Sequence, residues 1–170
     1  MSAWLPRLIR AWLLTALIDC LFSSVLVSVF YGSSVARLWQ GVASVPLGPP
    51  ALQGGSRTVI IGLALHLTVA LTWSTIFLIL YSASGWLRGL TSTPVGVVGT
   101  AVVYGPLIWM TMSLLLIPQF THRPATINYR WWVQWFGHIP FVALPIVTSI
   151  ARPSVRVGNT RRELESLVSG

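Results

Sequence analysis

The sequence predicts an all-α integral membrane protein, a bundle of four membrane-spanning helices. Two observations carry this. Four apolar stretches, at about 11–31, 58–81, 95–117 and 131–150, fill most of the chain, and none contains Lys, Arg or Glu. Roughly 20 residues of helix cross a hydrocarbon core, and lipid leaves no partner for unpaired backbone, so each stretch is expected to be a helical span. The composition agrees: 54% of residues are hydrophobic, 8% are charged, and the mean hydropathy is +0.75. Soluble domains carry about 25% charged residues. A soluble four-helix protein also needs polar outer faces, which these stretches lack.

The elements follow in order. Trp4, Leu5, Leu8, Ile9 and Trp12 recur at helical spacing around Arg7 and Arg10. This pattern predicts a short interfacial lead-in to the first span. Two arginines ahead of an apolar run also resemble a signal peptide. Here the run is longer than a signal core, contains Asp19 and shows no small-x-small cleavage site, so a retained helix is expected. The first loop, 32–57, is the longest. Val35 to Val45 predicts a short helix lying on the membrane with Trp39 as its anchor, stopped by Pro46, Pro49 and Pro50. The small residues of this loop also allow it to dip back against the bundle.

Gly85 and Gly89 around Trp86 and Arg88 predict an interfacial turn in the short second loop. Pro94 suits the first position of the third helix, where its missing N–H costs nothing. Pro118 is expected to end that helix. Trp131, Trp132 and Trp135 form an aromatic belt at the start of the fourth span. Pro106 in the third span, and Pro140 and Pro145 in the fourth, predict kinks. One domain, 1–156, is followed by a polar tail, 157–170. Asn159 or Thr160 is placed to cap a last short helix from Arg161 to Val168.

The net charge of +8 comes from arginine alone, since there is no lysine. The arginines flank the spans, as orientation and anionic headgroups require, so membrane lipids rather than nucleic acid are the expected contact. Arg7, Arg10, Arg88, Arg152, Arg156, Arg161 and Arg162 fall on one side of the membrane and Arg37, Arg57, Arg123 and Arg130 on the other. This split predicts that both termini lie in the cytoplasm. The single cysteine, Cys20, lies inside the first span and is read as a small apolar filler.

Ionisable groups inside a membrane are costly, which makes them the best functional pointers. The spans hold Asp19, His66 and His138. At 1.5 Å per residue, Asp19 lies ~12 Å from the cytoplasmic boundary, Tyr104 ~13 Å from the same one, and the two histidines ~11–12 Å from the outer one. The four share one central layer, and Gln134 lies one turn from His138. Asp19 is expected to face the bundle with His66 or Tyr104 as partner. His66 shares a side of its helix with Gly62, Ala70, Trp73 and Phe77, opposite a stripe of Thr68, Thr72 and Thr75. Ala101 and Gly105 give a small-xxx-small pair for close packing.

Three roles are open to this layer. The leading one is an interhelical polar network in a non-catalytic accessory or structural subunit, whose partners are other integral membrane subunits or further copies of the chain. The second is a small proton or solute channel or carrier using the Asp/His/Tyr layer. The third is b-type haem, with His66 and His138 as axial ligands on different helices. Gly62, Ala70 and Gly137 would supply the room for such a ring. Structural zinc wants four ligands, more than one aspartate and two histidines provide. Metalloprotease, hydrolase, nucleotide-binding and kinase motifs are absent, and no catalytic residue is assigned.

The order of several short motifs resembles a group of uncharacterised bacterial four-helix inner-membrane proteins. The residues are "LQGG" at Leu52 to Gly55, "GLALH" at Gly62 to His66, "VYGPLIW" at Val103 to Trp109 with Pro118 after it, and "HIPFVALPI" at His138 to Ile146. The likeness runs from about Asp19 to Ala151. Members of that group often carry an aromatic near "LQGG", where this chain has Pro50, Ala51 and Leu52. The resemblance implies the fold and the compartment and no assigned chemistry. It places His66 and His138 inside the recurring motifs.

Overall fold

The structure, a computed structural model, describes residues 4–151. All regular elements among them are helical. Four helices are long and apolar enough to cross a membrane: Trp4–Phe30, Gly55–Ala83, Pro94–Thr121 and Tyr129–Ala151. They are called the first to fourth spans below. The predicted tail helix lies outside the described residues.

The spans run up and down. Trp4 meets Tyr81 edge-on at 6.1 Å between ring centroids, which puts the start of the first span beside the end of the second. Arg10 Nη2 donates to the Ser149 carbonyl at 2.7 Å, and Arg7 Nη1 to that of Ile150 at 3.4 Å. The last turn of a helix leaves carbonyls unpaired, and a cation there is favourable for the dipole as well. The two lead-in arginines thus cap the fourth span. The lead-in itself is no separate surface helix. It continues into the first span without a break, because its apolar face packs on the bundle through the fully buried Ala11.

The fourth span is the most buried of the four. Half of its most apolar window is buried, against 39% for the third span and 17% for the first. It packs against the first and third spans along its length and against the second near its end. Ile146, Val147 and Ile150 are completely buried there, with Phe77, Tyr104 and Ile108 around them. The first span instead turns Leu13, Leu17, Leu21 and Val25 outward, as expected for a helix facing lipid.

One sequence expectation needs correction. Pro118 does not end the third helix. A wider π-turn at Thr111–Leu116 precedes it, the chain stays helical to Thr121, and His122 closes the end in the left-handed region at φ 52°. The short helix expected in the first loop forms, at Val35–Leu47. It packs along the second span, with Trp39 buried at 3% exposure. Gly62 makes this approach possible, because a Cβ there would overlap the Trp39 carbonyl oxygen. Arg37 Nη1 donates to the Leu52 carbonyl at 2.9 Å and Gln40 Nε2 to that of Gly55 at 3.3 Å. These bonds tie the loop helix to the turn at Pro49–Gln53 and to the start of the second span.

Pro94 begins the third span as expected, with the Thr93 hydroxyl accepting from the Gly96 N–H at 3.1 Å. Ala101 is fully buried, and Gly105 faces the His138 backbone so closely that a Cβ would come within 2.6 Å of its carbonyl oxygen. The small pair therefore brings the third and fourth spans together. In the fourth span, Pro140 lies within a π-turn at Ile139–Ala143. Proline removes a helical N–H and crowds the preceding turn, and the wider turn accommodates both.

Candidate functional site

Three of the predicted intramembrane residues come together. Asp19 Oδ2 lies 3.7 Å from His66 Nδ1, from the first span to the second. His138 on the fourth span is within electrostatic reach of the same carboxylate. Each ring is held by a carbonyl. His66 Nε2 lies 3.0 Å from the Ala16 oxygen, and His138 Nδ1 lies 2.7 Å from the Gln134 oxygen. A carbonyl only accepts, so those nitrogens carry the hydrogens. The free nitrogens are then His66 Nδ1 and His138 Nε2. Two lone pairs face each other across the Asp19–His66 gap unless one proton lies between them. Asp19 Oδ1 is buried with no hydrogen-bond partner among the described residues.

Aromatic rings cover both imidazoles. Trp39 of the loop helix lies 5.1 Å from His66 between centroids, and Trp109 of the third span lies 4.9 Å from His138. The sequence marked Trp39 as a membrane anchor and gave Trp109 only as the end of a short motif. Their place over the histidines depends on how the loop helix and third span pack, which no local pattern encodes.

Tyr104 does not join the cluster. Its hydroxyl donates to the Trp73 carbonyl at 2.8 Å, and its ring packs on Phe77 at 5.1 Å. Trp73 is two turns beyond His66, ~10 Å along the helix. The cause is depth. The second and third spans run in opposite directions, and Trp73 stands as far before the end of the second at Ala83 as Tyr104 stands after the start of the third at Pro94. Gln134 takes part through its backbone carbonyl. The threonine stripe is settled too: Thr68 and Thr72 are exposed, and each hydroxyl donates to the carbonyl four residues back, at 2.8 Å.

The residues offered as room for a haem are filled by protein. Gly62 abuts Trp39, and a Cβ on Gly137 would come within 2.6 Å of the Phe22 ring, which itself stacks on Phe141 at 4.2 Å. His66 Nε2 is engaged by Ala16. This packing does not fit a porphyrin between the two histidines. Among the described residues no group of three or more His, Cys, Asp or Glu is placed to hold a metal ion.

A cleft of about 340 Å³ opens beside the cluster, at the end of the bundle that carries the first and third loops. Trp109, Gln134, Tyr31, Arg123, Arg130 and Trp131 are among the residues that line it. Arg130 lies over the Tyr31 ring at 4.3 Å, and its Nε donates to the Tyr129 hydroxyl at 3.0 Å. Trp131 Nε1 donates to the Ser113 hydroxyl at 3.0 Å.

Compared with known protein families, curated proteins and solved structures, the chain matches none. What the sequence and structure establish is a multi-pass helical membrane protein with four candidate spans and a short helix between the first two.

Proposed function

We propose that this protein is a non-catalytic subunit of a larger assembly in the bacterial inner membrane, with both termini in the cytoplasm. The observation that supports this is where its intramembrane polar groups go. Tyr104, His66, Trp12 and Arg10 each bond to a backbone carbonyl of another span. Such bonds fix helix register and packing, which a scaffold requires. Toward the chain ends from the Tyr104–Trp73 bond, Phe77, Ile146, Val147 and Ile150 fill the core, and the buried Thr100 hydroxyl there bonds back to its own helix at Gly96. A continuous polar path would be needed for a carrier. The arginine distribution supports the orientation.

Extraction in a mild detergent followed by native mass analysis tests the reading. The expected result is a complex of the chain with other integral membrane polypeptides or with itself. A lone monomer that moves protons or solute in liposomes, and loses this on His66→Ala or Asp19→Asn, would overturn it.

One observation favours a second reading, reversible proton binding at the Asp19–His66–His138 cluster. The unpartnered Oδ1 of Asp19 and the free ring nitrogens offer a proton more than one resting place. Infrared difference spectra between acid and alkaline pH would show a carboxyl band that vanishes in Asp19→Asn. A pH-invariant spectrum in the carboxyl region removes this reading.

A further inference from the structure

The cleft at the loop end of the bundle has a donor set that the packing leaves unused. Trp109 Nε1 and the Tyr31 hydroxyl are both buried, both border the cleft, and neither has a hydrogen-bond partner among the described residues. An indole N–H can only donate, and a tyrosine hydroxyl keeps its hydrogen at neutral pH. Burying such groups unpaired is costly, so an acceptor is called for. Two guanidinium groups, of Arg123 and Arg130, border the same space, and none of the lining residues is acidic. Arg130 is held in place by Tyr31 and Tyr129, while its terminal amines have no acceptor among the described residues.

We infer that this cleft is a binding site for an oxyanion, a phosphate or carboxylate group seated between Arg130, Arg123, the Tyr31 hydroxyl and the Trp109 indole N–H. Fixed N–H and O–H donors with guanidinium groups are what such anions bind best. Its place beside the tryptophan belt suits the headgroup of an anionic lipid. A small soluble anion offers the same chemistry. Pro118 and Ile117 give the cleft an apolar wall against which an acyl or other carbon body can lie. The site is independent of the subunit role proposed above, because it takes its donors from the loop end and not from the interhelical ties.

Thermal unfolding of the full chain in an uncharged detergent tests this, with native mass analysis of adducts. The titrants are short-chain phosphatidylglycerol, short-chain phosphatidylcholine, glycerol 3-phosphate and inorganic phosphate. Saturable stabilisation by an anionic titrant is expected, weakened roughly tenfold by Arg130→Gln and severalfold by Trp109→Phe or Tyr31→Phe. Tyr31→Phe keeps the ring and Trp109→Phe keeps a smaller aromatic ring, each without the donor, and the melting point without titrant checks that the variants fold. Response to phosphatidylglycerol alone identifies a lipid headgroup, and response to phosphate or glycerol 3-phosphate identifies a soluble anion. Phosphatidylcholine binding as tight as phosphatidylglycerol, no saturable response to any anion, or affinity unchanged in Arg130→Gln and Trp109→Phe overturns the site.

Discussion

Asp19 of the first span faces His66 of the second at 3.7 Å, and the far nitrogen of that imidazole is held by the backbone of the first span at Ala16. The ring therefore bridges two points, one turn apart, on a single neighbouring helix. Asp19 has the weaker hold, since one of its oxygens is buried without a partner among the described residues.

The two residues should then respond differently to replacement. Asp19→Asn keeps the shape and removes a costly charge, so stability is expected to change by less than about 1 kcal/mol. His66→Ala removes both tethers and the group that faces Asp19 Oδ2, with an expected loss of about 1–3 kcal/mol. Unfolding in mixed micelles at rising denaturing-detergent fraction measures both. Equal effects would contradict the asymmetry.

The docking of the loop helix rests on Gly62. A Cβ at this position meets the Trp39 carbonyl, which is backbone and cannot swing away. Gly62→Ala is expected to cost about 1–3 kcal/mol by overpacking. It should also loosen the segment from Val35 to Leu47, raising amide exchange there more than in the fourth span. A variant as stable as the parent, with unchanged exchange, would show that the helix does not rest at this glycine.

Gly105 and Tyr104 set the third span against its neighbours through different forces. Gly105→Ala places a methyl group 2.6 Å from the His138 carbonyl oxygen, and separation of the third and fourth spans at a cost of about 1–3 kcal/mol is expected. Tyr104→Phe deletes only the bond to Trp73, and intramembrane bonds of this kind average about 0.6 kcal/mol with a ceiling near 1.7. The glycine variant should therefore be the more damaging. The reverse order, in the same micelle titration, would place the hydrogen bond above packing.

Orientation is open to direct chemical test. With Cys20 replaced by alanine, a cysteine at Thr126 in the third loop should react with an impermeant maleimide added to intact cells. One at Ser82, in the last turn of the second span, should react only after lysis. The opposite pattern reverses the proposed topology and leaves the fold untouched.

Much of the fold was legible because span length and hydropathy are local properties. The buried side of the second span was read correctly at Gly62, Ala70, Trp73 and Phe77, which recur at helical spacing and are all buried. The small pair at Ala101 and Gly105 was legible for the same reason. The loop helix was legible too, while its docking on the second span was not, because that depends on a backbone approach at Gly62, seven residues into another element. Depth along the spans put Asp19, His66, His138 and Tyr104 in one layer; in the structure Asp19 faces His66, and the Tyr104 hydroxyl meets the Trp73 carbonyl. The cleft donors escaped notice because Tyr31, Trp109 and Arg130 lie far apart in sequence and each reads alone as an interfacial residue.

The wider turn at Ile139–Ala143 has a consequence for comparing this chain with others. Such a turn is geometrically an α-helix with one residue added, and one residue is about 100° of rotation. The half that carries Trp131 and His138 and the half that carries Ile146 and Ile150 therefore belong to two helical wheels, set out of phase. Loss of a single residue here would keep the span long enough to cross a bilayer while turning one half's face away from its contacts. In an alignment, a one-residue gap at this point would mark a change of phase between the histidine and the apolar core, and not a neutral shortening.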